Sequence, residues 1–255
     1  MDALQQGVDV LAVQLRSVSR LPREHQEAVA RYGARTTWPA GFGVYERGTP
    51  ADGIFLVLRG QIVLRTQLGG GRSFVPWLAT AGETFGGEGL QIGARYASTA
   101  RAEEESETLH LSTARFSALV REQPPQALAL LRQVMAEHTA LLEKFGEHAT
   151  LTVEQRLIAA LLRLAGNRDP TGPGNGHPAR SLIPRRLLGE LVGATRESIS
   201  LVLGRLTAEG LIEREGNGLM ITDLERLTAK LATSDRAPEI SLATEPAVGV
   251  AGTFH

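Results

Sequence analysis

Residues 193–200 read Gly-Ala-Thr-Arg-Glu-Ser-Ile-Ser, and this stretch decides the fold of the second half of the chain. Thr195 has a side chain that caps the free amides of a helix starting at Arg196, and Gly193 can take the backbone angles of a tight turn between two helices. The stretch therefore predicts the turn and second helix of a helix-turn-helix. In that motif the first turn of the second helix, here Arg196 and Glu197, reaches base edges in the major groove of DNA.

Apolar residues at helical spacing flank this turn on both sides. The preceding helix is predicted over Pro184 to Val192, with an inner stripe of Leu187, Leu188 and Leu191. The second helix has an inner stripe of Ile199, Val202, Leu203 and Leu206. Arginine suits the two acceptors of guanine and glutamate the amino group of cytosine, so double-stranded DNA is the expected partner. The alternative is that these charges are solvated at an ordinary helix start. The candidate DNA-contacting residues are Arg185, Arg186, Thr195, Arg196, Glu197, Ser198, Ser200, Leu201 and Arg205.

A hairpin and a further helix complete the predicted module. The hairpin strands, 211–215 and 219–222, flank Gly216-Asn217-Gly218, which is typical of a β-turn and indicates a winged helix-turn-helix. A helix starting at Thr152, whose hydroxyl and Gln155 nearly match a capping box, runs to Gly166. The following residues, 167–178, are predicted to be a loop and not a site.

Composition limits the possible functions. The chain has 255 residues of which 42% are hydrophobic, which is enough for two domains. It has no cysteine, which excludes disulfides, thiolate chemistry, zinc fingers and cysteine-ligated iron–sulfur clusters. A net charge of -1 argues against indiscriminate coating of nucleic acid, so any DNA contact is local. Because the chain has no signal-peptide pattern and no run of about 18 apolar residues, we expect a soluble cytoplasmic protein without membrane contact.

The first half consists of short β-rich runs punctuated by glycine, which predicts an antiparallel roll or barrel and an α+β fold class. The predicted strands are Phe42 to Tyr45, Ile54 to Leu58, Gln61 to Thr66, Phe74 to Leu78, Thr99 to Ala102 and Thr108 to Leu111. Helices are predicted before and after them, over Val8 to Val18, Pro22 to Tyr32, Thr113 to Arg121 and Pro125 to His148.

The long helix from Pro125 to His148 has two apolar rows. One row follows a heptad seam and consists of Leu128, Leu131, Met135, His138, Leu142 and Phe145. The other row, which would face the roll, consists of Leu130, Val134 and Leu141. The seam favours parallel pairing of this helix with the same helix of a second copy. Such a dimer would present two helix-turn-helix motifs, which would match two DNA half-sites. The alternative is a helix buried within one chain.

The order of roll, long helix and winged helix-turn-helix resembles the CRP/FNR family of bacterial transcription regulators, over roughly Val8 to Ala232. The resemblance rests on glycine-rich motifs at 48–60 and 82–88 and on the Thr195 to Ser200 run. It implies a homodimer with RNA polymerase as a further partner. It also implies a sensing domain over residues 1–122, a dimerisation helix and hinge over 123–150 and a DNA-binding domain over 151–232. The tail, 233–255, is predicted to be disordered from its composition.

Cyclic AMP is disfavoured as the effector because the family's phosphate cassette, Gly-Glu followed by Arg-Ser, is incomplete. Gly87-Glu88 is present, but the Arg-Ser positions match Tyr96-Ala97. Arg95 lies one residue before the cassette position of the arginine. Because side chains alternate faces along a strand, this offset points Arg95 away from the site unless a β-bulge turns it back. Leu141 and Leu142 occupy the positions where cyclic-AMP-binding members place hydroxyl groups against adenine, a hydrogen bond that leucine cannot make. The candidate effector-pocket residues are Gly86, Gly87, Glu88, Arg95, Tyr96, Ala97, Leu141 and Leu142.

The stretch Tyr96 to Ala102 is more similar to the family branch that senses oxygen, nitric oxide or redox state, and this resemblance implies an unidentified small molecule or gas as the effector. An iron–sulfur version is excluded. A haem group with a histidine ligand, His110, His138 or His148, stays an alternative. His138 lies on the seam, where it also suits a role in setting the helix register or in responding to pH. Leu201 stands where the family commonly has a second arginine, which implies an altered half-site with apolar contact to a thymine methyl.

Enzymatic function is not indicated, and no catalytic or metal-binding residues are predicted. The sequence contains no phosphate loop, nucleophile elbow or hydrolytic metal motif, and Gly69-Gly70-Gly71 reads as a hairpin turn. The remaining alternative is a ligand-binding protein whose main output is not sequence-specific DNA binding. For a regulator, the segment Phe145 to Thr152 is the expected hinge between sensor and DNA-binding module.

Overall fold

The computed structural model describes residues 20–67, 73–166, 180–181, 185–215 and 218–233. The predicted helix over 8–18, the glycine turn at 69–71, the loop at 167–178 and the tail after Thr233 lie outside these ranges. Within them the chain forms an antiparallel roll, a long helix and a winged helix-turn-helix, so the α+β fold class is confirmed.

The roll contains two four-stranded antiparallel sheets that share a core. Its strands are β1 Ala34–Trp38, β2 Gly43–Tyr45, β3 Gly53–Arg59, β4 Gln61–Gln67, β5 Ser73–Thr80, β6 Thr84–Phe85, β7 Thr99–Ala102 and β8 Ser106–Ser112. The strand orders are β1-β8-β3-β6 and β2-β7-β4-β5. Val57, Ile62 and Ala79 are completely buried between the two sheets. The sequence pattern did not predict β1 and β6, because β1 is mostly polar and exposed and β6 has only two residues.

Helices pack against the first of these sheets. They are α1 Arg23–Ala30, a short 3-10 helix Gly87–Leu90, α2 Thr113–Glu122 and α3 Pro124–Thr150. The prolines that open α3 suit its first turn, where a backbone amide has no partner within the helix. Leu130 of α3 is 1% exposed and lies in one apolar cluster with Ile54 and Leu109 of the roll. The roll therefore anchors the first half of α3.

The C-terminal module is the predicted winged helix-turn-helix with two additional elements, β9 and α7. Its elements are α4 Val153–Gly166, β9 Arg180–Ser181, α5 Arg185–Val192, α6 Arg196–Ala208, β10 Ile212–Glu215, β11 Gly218–Ile221 and α7 Leu224–Thr233. Thr152 is the cap of α4 and not its first residue. Its amide donates to Gln155 Oε1 at 2.8 Å and its Oγ1 accepts from the Gln155 amide at 3.3 Å, which is the predicted capping box. None of the helices that the structure describes is both long and apolar enough to span a bilayer.

The C-terminal module is docked on the roll of the same chain. Val75 of β5 belongs to the same apolar cluster as Leu188 of α5. At the edge of this contact, Glu190 of α5 accepts hydrogen bonds from Arg65 Nε at 2.9 Å, Arg65 Nη2 at 2.7 Å and Ser73 Oγ at 2.7 Å. Glu190 therefore ties the first helix of the helix-turn-helix to the β4–β5 hairpin.

Candidate nucleic-acid interface and effector site

The turn between α5 and α6 has the geometry that its sequence predicts. Gly193 has a φ of +67°, in the left-handed region where only glycine is unstrained. Thr195 is extended, and its Oγ1 accepts a 3.2 Å hydrogen bond from the Ser198 amide, which satisfies one free amide of α6. The inward side chains of α6 are at most 4% exposed at Ile199, Val202, Leu203 and Leu206. The packing of this face leaves the opposite face of α6 outward.

The outward face of α6 carries the side chains predicted to contact DNA. Leu201 is 71% exposed, and Ser198 is half-buried. Hydrogen bonds from its own backbone amide and from the Thr195 hydroxyl lower the pKa of the Glu197 carboxyl. Arg185 and Arg186 open α5, and their side chains lie outside the described part of the structure. The exposed members of the predicted set are Thr195, Arg196, Glu197, Ser200, Leu201 and Arg205.

A cleft of about 660 Å³ opens beside this face, between the start of α4, the outer side of α6 and α7. We call it the Glu154 cleft. Glu154 Oε2 lies 2.9 Å from Arg205 Nη2, and Glu154 Oε1 lies 3.3 Å from Lys230 Nζ. Lys230 also pairs with Glu209 at 2.8 Å, and this hydrogen bond raises the pKa of Lys230. Arg205, predicted to meet DNA, is therefore held by a carboxylate of its own chain.

Tyr96, one of the candidate effector-pocket residues, packs among aromatic side chains in the core of the roll. Tyr96 is 3% exposed and stacks on Tyr45 with ring centroids 3.7 Å apart and planes 9° apart. Its hydroxyl donates to Asp52 Oδ1 at 3.1 Å, and burial raises the pKa of Tyr96 to about 12. Phe55 and Phe85 stack beside this pair, with centroids 4.9 Å apart. A buried neutral phenol thus occupies the position at which the resemblance implies an arginine.

Arg95 points out of the roll. Its side chain is exposed, and its Nη1 donates to the Gly48 carbonyl at 2.5 Å. Arg95 pairs with Pro50 as an isolated bridge, while the next residue, Tyr96, is buried. The one-residue offset therefore has the effect that strand alternation predicts, and no bulge turns Arg95 inward. Arg95 does not join the other candidate pocket residues.

The remaining pocket candidates divide between the roll and α3. Gly86 has a φ of +72° and leads into the 3-10 helix, where the Glu88 Oε1 accepts a 3.1 Å hydrogen bond from the Ala97 amide. A Cβ at Gly87 would lie 3.7 Å from Val134 of α3, so this segment rests directly on the long helix. Leu141 is half-buried, whereas Leu142 is 56% exposed and lies with the seam residues.

Two carboxyls, the buried Glu83 and the half-buried Glu137, join the roll to α3, and no local sequence pattern marks them. Glu83 is 0% exposed, and its Oε2 accepts a 2.8 Å hydrogen bond from the Thr80 amide. Glu137 of α3 accepts from the amide and hydroxyl of Thr84 and from Gln133 Nε2 at 2.7 Å. Burial is the main cause that raises the pKa of each carboxyl to about 7, and for Glu83 the nearby Glu137 contributes to this shift. The joint therefore contains groups that titrate near neutral pH.

The seam of α3 is exposed in the single chain. The exposed fractions are 47% at Leu128, 41% at Leu131, 61% at Met135, 56% at Leu142 and 52% at Phe145. His138 on the same row is also exposed, whereas Leu130 and Val134 of the second row pack into the roll. One helix thus presents a buried row to its own chain and an apolar row to solvent.

The two other histidines have different surroundings. His110 Nε2 lies 3.3 Å from Asp52 Oδ1, and its ring stacks on Phe55. His148 Nδ1 lies 2.8 Å from the Lys144 carbonyl, and burial lowers the pKa of His148. Lys144 Nζ donates to the Val75 carbonyl at 2.7 Å, which joins the end of α3 to β5. Among the described residues, no group of three or more His, Cys, Asp or Glu could hold a metal ion.

Comparison with known proteins gives two family matches. A cyclic nucleotide-binding domain matches residues 35–123, and a Crp-like helix-turn-helix domain matches residues 155–230. The chain is similar to the cAMP-activated global transcriptional regulator Vfr of Pseudomonas aeruginosa, at 25% identity over 211 residues that cover 80% of this chain and 97% of Vfr. It is also similar to the cAMP-activated global transcriptional regulator CRP of Salmonella typhimurium, at 24% identity over 185 residues that cover 72% of this chain and 87% of CRP.

A solved structure supports the same fold. The c-di-GMP responsive global regulator CLP of Xanthomonas campestris superposes with a TM-score of 0.66 at 22% identity, over 79% of this chain and 100% of CLP. Because these similar proteins are named for two different nucleotides, similarity alone does not indicate the effector of this chain.

Proposed function

The chain belongs to the CRP/FNR family of transcription regulators, and we propose that it binds a palindromic operator as a homodimer under control of a signal sensed in the roll. Its partners are then double-stranded DNA, a second copy of the chain and RNA polymerase. In this proposal residues 1–122 sense the signal, 123–150 form the dimer helix and hinge, and 151–232 bind DNA.

The outward face of α6 is the observation that carries the DNA-binding proposal. Arg196 and Glu197 lie exposed in the first turn, while the opposite face of the same helix is buried in the module. A helix held in this way can enter the major groove without rearranging its own packing. Arg196 suits guanine, Glu197 suits cytosine, and the exposed Leu201 suits a thymine methyl.

The exposed seam supports the homodimer. Apolar side chains along one face of a long helix form a continuous stripe, and such stripes mark protein interfaces. The heptad spacing fits a parallel pairing of two α3 helices. Pairing would bring two α6 helices into one assembly, as a palindromic operator requires.

The aromatic filling of the roll supports an effector other than cyclic AMP. Tyr96 stands at the sequence position that the resemblance assigns to the phosphate-binding arginine and is buried, Arg95 lies outside, and Leu142 offers no hydrogen bond. A candidate site without an inward cation does not suit the phosphate of a cyclic nucleotide and favours an uncharged small molecule or gas as the effector. Isothermal titration of cyclic AMP into the purified chain is expected to give no heat of binding. Micromolar binding that also tightens DNA binding would contradict this part of the proposal.

Selection of genomic fragments by the purified full-length chain, followed by sequencing, tests the proposed function. We expect enrichment of a palindrome whose half-sites lie about one helical turn, roughly 10 base pairs, apart. Arg196→Ala is expected to lose the enrichment, whereas Arg121→Ala, an exposed arginine on α2, should keep it. No enriched sequence, or the same sequence with Arg196→Ala, would instead favour a ligand-binding protein whose output is not DNA recognition.

A further inference from the structure

The ion pairs of the Glu154 cleft place two basic side chains beside the predicted DNA-reading face. Arg205 projects from α6 and is 61% exposed at its side chain, and Lys230 projects from α7 and is 29% exposed. Glu154 is only 23% exposed and contacts both cations, and Glu209 contacts Lys230. The two carboxylates balance the two cations, so the cluster is electrically neutral.

The cleft opens on the same face as the residues proposed to read DNA. Ser198, Leu201 and Arg205 of α6 line it together with Glu154 and Lys230. A duplex that seats Leu201 against a base edge would bring its sugar-phosphate backbone close to this cleft. Basic side chains beside a DNA backbone typically contact phosphates. Here the Glu154 carboxylate already lies where a phosphate would contact Arg205 and Lys230.

We propose that Glu154 is a specificity-determining residue that occupies the phosphate position on Arg205 until an operator backbone phosphate displaces it. This inference rests on the proposed DNA-binding function. At the operator, base contacts of α6 fix the register and bring a phosphate close enough to replace the carboxylate. On unrelated DNA no base contacts hold the duplex in place, and Arg205 stays paired with Glu154.

The strength of the Arg205–Glu154 pair suits such an exchange. Arg205 is mostly exposed, and ion pairs with an exposed partner contribute little to stability and are screened by salt. A phosphate can therefore replace the carboxylate on Arg205 at small cost. Lys230 also pairs with Glu209 at 2.8 Å, so it keeps an ion pair when Glu154 moves away from the cluster.

Glu154 also lowers the affinity for DNA in general. Each phosphate contact made by a basic side chain releases counterions and steepens the dependence of affinity on salt. On unrelated DNA, Arg205 stays paired with Glu154. It therefore makes no phosphate contact there and releases no counterions. The result is a larger ratio between operator and non-specific affinity, which is the quantity that matters among many competing genomic sites.

Fluorescence anisotropy with the full-length chain at several salt concentrations tests this inference, using the selected operator and a scrambled duplex. For Glu154→Gln, binding to the scrambled duplex should tighten about 3- to 10-fold at 0.1 M salt, and its salt slope should steepen by about 1 per chain, or about 2 for the dimer. The slope at the operator should stay unchanged, because the wild type already makes the Arg205 contact there. Adding Arg205→Gln to Glu154→Gln should remove the gain on the scrambled duplex.

Glu225→Gln is the matched control, since Glu225 is an exposed carboxylate in the first turn of α7. This substitution removes the same charge as Glu154→Gln. It should leave both slopes unchanged. Equal effects of Glu225→Gln and Glu154→Gln would overturn the inference in favour of a general charge effect, as would an unchanged slope for Glu154→Gln on scrambled DNA. Failure of the wild type to prefer the operator would instead contradict the proposed function itself. Thermal melting of each variant confirms that the module is folded in the comparison.

Discussion

Replacing Glu83 by glutamine is expected to flatten the pH dependence of folding stability around neutral pH. The Glu83 carboxyl is 0% exposed and lies at the joint between the roll and α3. Burial and the nearby Glu137 raise its pKa from 4.5 to about 7. In the unfolded chain the same carboxyl returns to the ordinary value, so folding and proton binding are coupled.

The sign of the effect follows from which state holds the proton. Between the unfolded pKa of 4.5 and the folded pKa of about 7, the folded chain keeps a proton that the unfolded chain has released. The free energy of unfolding therefore falls as pH rises through this window. Above about pH 7 the folded chain bears the full destabilisation caused by an ionised, buried Glu83 carboxylate. A pKa difference of about 2.5 corresponds to ~3 kcal/mol for this one group.

Urea unfolding at pH 5, 6, 7 and 8 measures this contribution, with tryptophan fluorescence as the signal. Both tryptophans of the chain, Trp38 and Trp77, lie in strands of the roll. Glu83→Gln keeps an oxygen that can accept from Thr80, so the difference in unfolding free energy between variant and wild type isolates the titration. Relative to the wild type, the unfolding free energy of the variant should rise by about 2 to 3 kcal/mol from pH 5 to pH 8.

Glu143→Gln is the control, because Glu143 is an exposed carboxylate on α3 and should give a difference that is the same at every pH. A constant difference for Glu83→Gln over this range would refute the reasoning, since it would mean that Glu83 is already ionised in the folded chain at pH 5.

Other consequences of the structure can be measured separately. Met135→Asp places a charge on the exposed seam and should convert dimers to monomers in sedimentation velocity, whereas Arg132→Asp on the same helix should not; dimers of Met135→Asp would contradict the seam. Arg196→Ala and Glu197→Ala should each cost about 1 to 3 kcal/mol at the operator and relax one base position, as read from binding to single-base operator variants; unchanged preferences would argue against α6 as the reader. A double-mutant cycle of Arg65→Met and Glu190→Gln should give a coupling of about 1 to 2 kcal/mol with faster hydrogen exchange in α5, and zero coupling would show that this clamp does not hold the module.

The parts of the fold that depend on local pattern could be predicted from the sequence. The cap at Thr195 and the capping box at Thr152 are defined by residues three positions apart, and both form as predicted. The strands with alternating apolar residues and the two rows of α3 also follow from periodicity. The helix α7 could have been found, since Leu227 and Leu231 are buried four residues apart and Asp223 caps the amide of Arg226.

The contacts that join distant parts of the chain could not be predicted. Glu190 and Arg65 are 125 residues apart, and Glu137 and Thr84 are 53 apart, so no local pattern links them. In the sequence Glu154 is an ordinary acidic residue in a first helical turn, and only the fold places it against Arg205 and Lys230. The stacking of Tyr96 on Tyr45 likewise depends on the pairing of strands and not on spacing.

In the proposed function, the outward face of α6 reads a specific DNA sequence in a dimer of this chain. Fluorescence anisotropy of the selected operator against a scrambled duplex, at physiological salt, tests it most directly. We expect the operator to bind about 10³-fold or more tightly than the scrambled duplex, with two chains bound per duplex. Equal affinities for the two duplexes, or one chain bound per operator, would contradict the account.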